Sequence, residues 1–131
     1  MTLEVRSISK RFGPIQANDG VDLSVERGVI HAVLGENGAG KSTLMKILSG
    51  FQDADSGDVR LDGSQIELGS PRTAIEAGIG MLHQDPLVAL PFTVLDNFVL
   101  GRRGRIDLAA ARRELEEGAA RLGFTLDPDA T

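Results

Sequence analysis

Directly after the apolar run Val29-Ile30-His31-Ala32-Val33-Leu34 stands Gly35-Glu36-Asn37-Gly38-Ala39-Gly40-Lys41-Ser42-Thr43. The stretch fits G-x-x-x-x-G-K-[ST] with Gly35, Gly40, Lys41 and Ser42, and an apolar helical pattern, Leu44-Met45-Lys46-Ile47-Leu48, follows it. A buried strand, a glycine loop and a helix in that order commit the chain to an α/β architecture. The chemistry explains the residue types. Glycines let the backbone curl so that successive N–H groups face phosphate oxygens, and the positive end of the next helix adds to that field. Glu36, Asn37, Ala39 and Thr43 belong to the same cradle through their backbone. Lys41 is expected to reach the β- and γ-phosphates, and the Ser42 hydroxyl to take a place on Mg²⁺, a hard ion that prefers oxygen. The alternative is a plain glycine turn between strand and helix.

The chain has 131 residues, which allows one domain at most and is small for a phosphate-loop ATPase core. No apolar run approaches the roughly 20 residues a membrane-crossing helix needs, and the first residues do not open a signal peptide. There is no cysteine, which removes disulfides and thiolate zinc sites and suits a cytoplasmic chain. A net charge of −5 argues against a broad nucleic-acid surface.

Leu3-Glu4-Val5-Arg6-Ser7-Ile8 alternates apolar and polar residues, the period of a half-buried strand, and residues 9–14 then read as a turn. Val21-Asp22-Leu23-Ser24-Val25 alternates again, and residues 29–34 read as a buried strand entering the loop. Together these predict a mixed sheet, with an antiparallel flank beside a parallel core. Beyond the loop, the spacing predicts a helix to Ser49 closed by Gly50, a short strand at Val59-Arg60-Leu61, and a tight hairpin at Asp62-Gly63. A helix over 71–77 with Ser70 as N-cap precedes a second core strand over 78–82. Asp107 reads as the N-cap of a helix with the stripe Leu108, Ala111, Leu115, Ala119 and Leu122, closed by Gly123. On it, Arg112–Glu116 and Arg113–Glu117 are spaced as i,i+4 pairs.

This order of elements, with "GVIHAVLGENGAGKSTLMKILSG" and then "SGDVRLDG", resembles the front half of an ATP-binding cassette (ABC) ATPase. The resemblance implies a P-loop NTPase fold of the ABC type, with the nucleotide-binding core and β flank over 1–88 and the start of the helical subdomain over 89–131. It implies ATP and Mg²⁺ as cofactors. An aromatic residue ahead of the phosphate loop stacks on adenine in that family, and Phe12 occupies the place; the bland reading is a packed turn residue. His83-Gln84-Asp85-Pro86 resembles the family's Q-loop, whose glutamine, here Gln84, contacts Mg²⁺ or the attacking water. With Lys41 it completes the catalytic residues that the resemblance marks in this chain.

The wording of the loop and of "GIGMLHQD…PFTVLDNFVLG" is similar to importers of sugars or nucleosides. The implied partners are transmembrane permease subunits and a second cassette, as a dimer or in tandem. No nucleic acid is implied, and the place is peripheral, at the cytoplasmic face of the cell membrane. The family's signature, Walker B aspartate and glutamate, and switch histidine do not occur in these residues, so the chain looks like an N-terminal fragment unable to hydrolyse ATP alone. A soluble ABC-type ATPase acting on DNA or ribosomes, and a non-catalytic nucleotide-binding fragment, remain as other readings.

Overall fold

Strand-forming alternation at the N-terminus runs into a hairpin that is longer than its apolar pattern. In the computed structural model, which describes residues 1–84 and 88–131, β1 (Leu3–Phe12) and β2 (Ile15–Val25) pair antiparallel with Phe12 opposite Ile15. Only Gly13 and Pro14 are left as the turn, so the break expected over 9–14 is a strand end. The reason lies in the side chains. The register slips three times between Val5 and Arg11, and polar groups satisfy the backbone there. Asp22 Oδ1 accepts from the Ser7 N–H at 2.8 Å, and Ser9 Oγ from the Gly20 N–H at 2.9 Å.

The chain divides into two units, Met1–Leu82 and His83–Thr131. In the first, β3 (Ser56–Leu61) and β4 (Ser64–Ile66) complete an antiparallel sheet of order β2-β1-β3-β4. Asp62 and Gly63, at φ 49° and 80°, make the mirror-image turn that fits the twist of a two-residue hairpin. The Thr2 N–H donates to Asp62 Oδ1 at 2.7 Å and holds that carboxyl below its usual range. Helix α1 (Lys41–Leu48) buries Leu44, Ile47 and Leu48 with Val5, Ile8 and Val59 of the sheet. Gly50, at φ 71°, ends it: its N–H donates to the Ile47 carbonyl, and the Phe51 N–H to that of Lys46. Helix α2 (Pro71–Glu76) starts on the Ser70 cap, whose Oγ accepts from the Thr73 N–H.

Two expected strands do not form. Residues 29–34 and 78–82 carry no strand, and Ile30, Leu34 and Leu82 are 102%, 89% and 98% exposed. A strand exists only through hydrogen bonds to a neighbour. Among the described residues no strand lies beside either run, so an apolar sequence has nothing to pair with or pack against. Among the described residues the antiparallel flank is present and no parallel pair of strands forms beside it.

In the second unit, α3 (Val94–Val99) and α4 (Leu108–Arg121) bury Leu95, Val99 and Ala111, with Phe98 and Leu115 packed against them. Thr93 and Asp96 cap α3 reciprocally, and Asp107 caps α4. The expected stripe of α4 is narrower than its sequence pattern: Ala111 and Ala119 are buried, whereas Leu108 and Leu122 are exposed. Nor does Arg112 take Glu116 as its partner. Its guanidinium forks onto both oxygens of Asp129, at 2.6 and 3.0 Å, a geometry that outcompetes a single exposed contact along the helix. That bond keeps the Asp129 carboxyl below its usual range. The tail is further tied by the Val94 and Leu95 N–H groups, which donate to the carbonyls of Ala130 and Pro128.

Candidate functional site

The glycine loop folds as its residue types require. Gly38 and Gly40 sit at φ 86° and 85°, the left-handed region where a side chain is strained. Between them the Ala39 N–H closes a turn onto the Glu36 carbonyl at 3.2 Å. Gly40 is the N-cap of α1, no side chain caps that end, and its carbonyl accepts the first helical bond from the Leu44 N–H at 3.0 Å. The amides of the first turn, at Lys41, Ser42 and Thr43, therefore have no partner within the helix and carry its partial positive charge.

Lys41 folds back across the loop. Its ammonium donates to the carbonyls of Gly35 and Glu36, each at 2.7 Å. An ammonium has three N–H groups, so one is left for an anion while two hold the ring of the loop in shape. Ser42 is exposed on the first helical turn, as are the side chains of Glu36 and Asn37. A free backbone-amide cradle, a cation at its rim and a hydroxyl oxygen beside it fit a nucleotide's phosphates with Mg²⁺. Among the described residues no group of three or more His, Asp or Glu could hold a metal. An ion held by one hydroxyl and by phosphate oxygens requires none.

Strand β2 supports this loop from behind. A Cβ on Gly40 would lie 2.0 Å from the Ala17 carbonyl oxygen and 2.9 Å from Asn18 Nδ2. Asn18 is 6% exposed, and its Nδ2 donates to the Gly40 carbonyl at 3.3 Å. Sequence reasoning missed this residue. Its alternation is out of phase with Val21, Leu23 and Val25, but the register steps from Ile8↔Val21 to Lys10↔Asn18, one residue more on β2 than on β1. That bulge, at Gly20 with φ 57°, turns Asn18 inward. An "Asp-Gly" inside a strand pattern was the signal available.

Phe12 ends β1, two residues beyond the position opposite Asn18. The residue is 45% exposed, with the Lys10 ammonium 5.7 Å from the ring centroid. It is outside the packed core of the first unit. Lys10 is itself fixed by Asp55, at 2.7 Å, and that bond with the Arg11 N–H holds the Asp55 carboxyl below its usual range. Gln84 lies in the second unit and is exposed. Asp85 and Pro86, which complete the stretch resembling a Q-loop, lie outside the described residues. His31, in the run before the loop, is exposed.

A family model described as "ABC transporter" matches residues 18–130. The "Guanosine import ATP-binding protein NupO" of Bacillus subtilis (strain 168) is 42% identical over 132 residues, covering 98% of this chain and 26% of that protein. The "Ribose import ATP-binding protein RbsA" of Chromobacterium violaceum is 47% identical over 135 residues, covering 99% of this chain and 27% of that protein. Among solved structures, a nucleotide-free ATP-binding cassette from an ABC transporter superposes with a TM-score of 0.69 at 34% identity, covering 87% of this chain and 46% of the other. The chain spans about a quarter of the length of those curated relatives.

Proposed function

The chain belongs to the ABC transporter family, and from that membership we propose that it is the phosphate-holding part of the ATP-binding subunit of a sugar or nucleoside importer. The observation that carries this reading is the loop over 35–43, with two left-handed glycines, an uncapped helix start and the Lys41 ammonium bridging two carbonyls at 2.7 Å. Relatives named for guanosine and ribose import, similar over nearly the whole chain, support that substrate class.

Residues 35–43 bind the phosphates through backbone amides, those of Glu36, Asn37, Ala39 and Thr43 included. Lys41 adds the charge and Ser42 a hydroxyl oxygen for Mg²⁺. Gln84 is the second side chain we assign to the metal or to water, and Lys41 and Gln84 are the two residues of this chain that act at the reacting phosphate. Phe12 stacks on the base, a contact worth about 1–3 kcal/mol. When bound, Mg·ATP supplies the phosphoanhydride whose cleavage drives transport and the divalent charge that offsets the phosphates. Glu36 is no base for that cleavage, since a carboxylate inside the cradle repels attack on a polyanion.

The partners we assign are membrane-spanning permease subunits and a second cassette, with this protein peripheral at the cytoplasmic face. No helix among the described residues is long and apolar enough to cross a membrane. The test is uptake of labelled ribose and guanosine by cells lacking the protein. The unaltered full-length protein restores uptake of one of these solutes and Lys41→Ala does not; equal restoration by both would overturn the reading.

A further inference from the structure

Asn18 is a buried amide with one hydrogen bond made and one missing. Nδ2 donates to the Gly40 carbonyl at 3.3 Å, while Oδ1 has no partner among the described residues. The orientation follows from the acceptor: a carbonyl takes hydrogen bonds only, so the reversed amide would set two oxygens face to face. Leaving a buried Oδ1 unpaired opposes folding, and an apolar residue of similar size would avoid that cost. The polar side chain therefore has to be accounted for by something other than stability.

Gly40 is the place where its bond has effect. That carbonyl also receives the Leu44 N–H, so Asn18 holds the first hydrogen-bonded turn of α1 at its starting point. In a trans peptide the C=O and the following N–H point in opposite directions within one plane. Anchoring the Gly40 oxygen against β2 thus fixes the direction of the Lys41 N–H, the first amide of the helix. Ala17 closes the same contact, since its carbonyl leaves no room for a Cβ on Gly40. Through β2 and its hairpin, the same anchor ties the loop to the strand that ends in Phe12.

We propose that Asn18 is a positioning residue for nucleotide binding, orienting the Gly40–Lys41 peptide toward the phosphates at the expense of fold stability. This rests on the reading of residues 35–43 as a nucleotide site. Other candidates lack its second observation: the arginines at 102, 103 and 105 form an exposed cluster, and Arg102 is already held by Glu114 and the Phe98 ring.

The experiment measures two quantities in the full-length protein: Mg·ATP affinity by equilibrium titration, and thermal unfolding without nucleotide. Asn18→Leu fills the site without an amide, and Asn18→Ala empties it. Both remove the same donor, so both are expected to raise the Kd about fivefold. Their unfolding temperatures should diverge, with Asn18→Leu above the unaltered protein and Asn18→Ala below Asn18→Leu. Should Asn18→Leu fail to fold, or unfold at a lower temperature than the unaltered protein, the proposed trade against stability is overturned. A Kd unchanged in Asn18→Ala overturns the positioning role. If the unaltered protein binds while neither variant is affected, this inference alone falls; if the unaltered protein does not bind, the proposed function falls with it.

Discussion

Gly40 shows how a single position can be fixed from two sides. Its φ of 85° disfavours any side chain, and the Ala17 carbonyl stands 2.0 Å from where a Cβ would be. Gly40→Ala must therefore strain the backbone and push β2 away from α1. Strain at such a conformation costs about 1–3 kcal/mol before the clash is added, and we expect denaturant unfolding of the full-length protein to register a loss of about 3 kcal/mol or more. A loss within about 0.5 kcal/mol, as at ordinary surface sites, would show that the loop relaxes freely. At this scale the loop was legible because its chemistry dictates residue type and spacing together. Asn18 was not, because its inward direction depends on a bulge whose position the alternation of β2 conceals. The partner of Arg112 is hidden for a related reason: helical spacing names Glu116 as a neighbour, but the competing Asp129 comes from a distant part of the chain.

Element by element, the ends were easier to read than the partners. Ser70, Asp107, Gly50 and Gly123 cap or close helices as their types predict, because capping is settled by a few residues in sequence. Thr93 and Asp96 are a further case. Thr93 Oγ1 accepts from the Asp96 N–H at 3.0 Å, and Asp96 Oδ2 from the Thr93 N–H at 3.1 Å, which starts a six-residue helix that could not be stable by length alone. We expect Thr93→Ala to cost about 1 kcal/mol. The loss should appear as faster amide exchange over residues 94–99 than over α4; unchanged exchange there would mean that packing of Leu95 and Val99 alone maintains α3. Residues 29–34 went the other way. Their apolar run has the pattern of a buried strand, yet burial and pairing are properties of the neighbours, and among the described residues those neighbours are lacking.

At the scale of the whole molecule, order along the chain was the strongest signal. Hairpin, glycine loop, helix and a second hairpin succeed one another as in an ABC cassette, and the family match over residues 18–130 and the likeness to a solved cassette bear that out. The parallel part of the expected sheet is absent among the described residues, and Ile30, Leu34 and Leu82, which lie in the runs expected to form it, are exposed. None of this alters the cradle, whose support comes from β2 and α1 in the first unit. The account turns on whether that cradle holds a nucleotide. Equilibrium titration of the full-length protein with Mg·ATP tests it most directly, using Lys41→Ala as the variant that deletes the cation bridging the loop. We predict saturable binding to the unaltered protein and a Kd raised at least about tenfold in the variant, as for loss of a charge-assisted bond to phosphate. Equal affinity in the two proteins would contradict the assignment of residues 35–43.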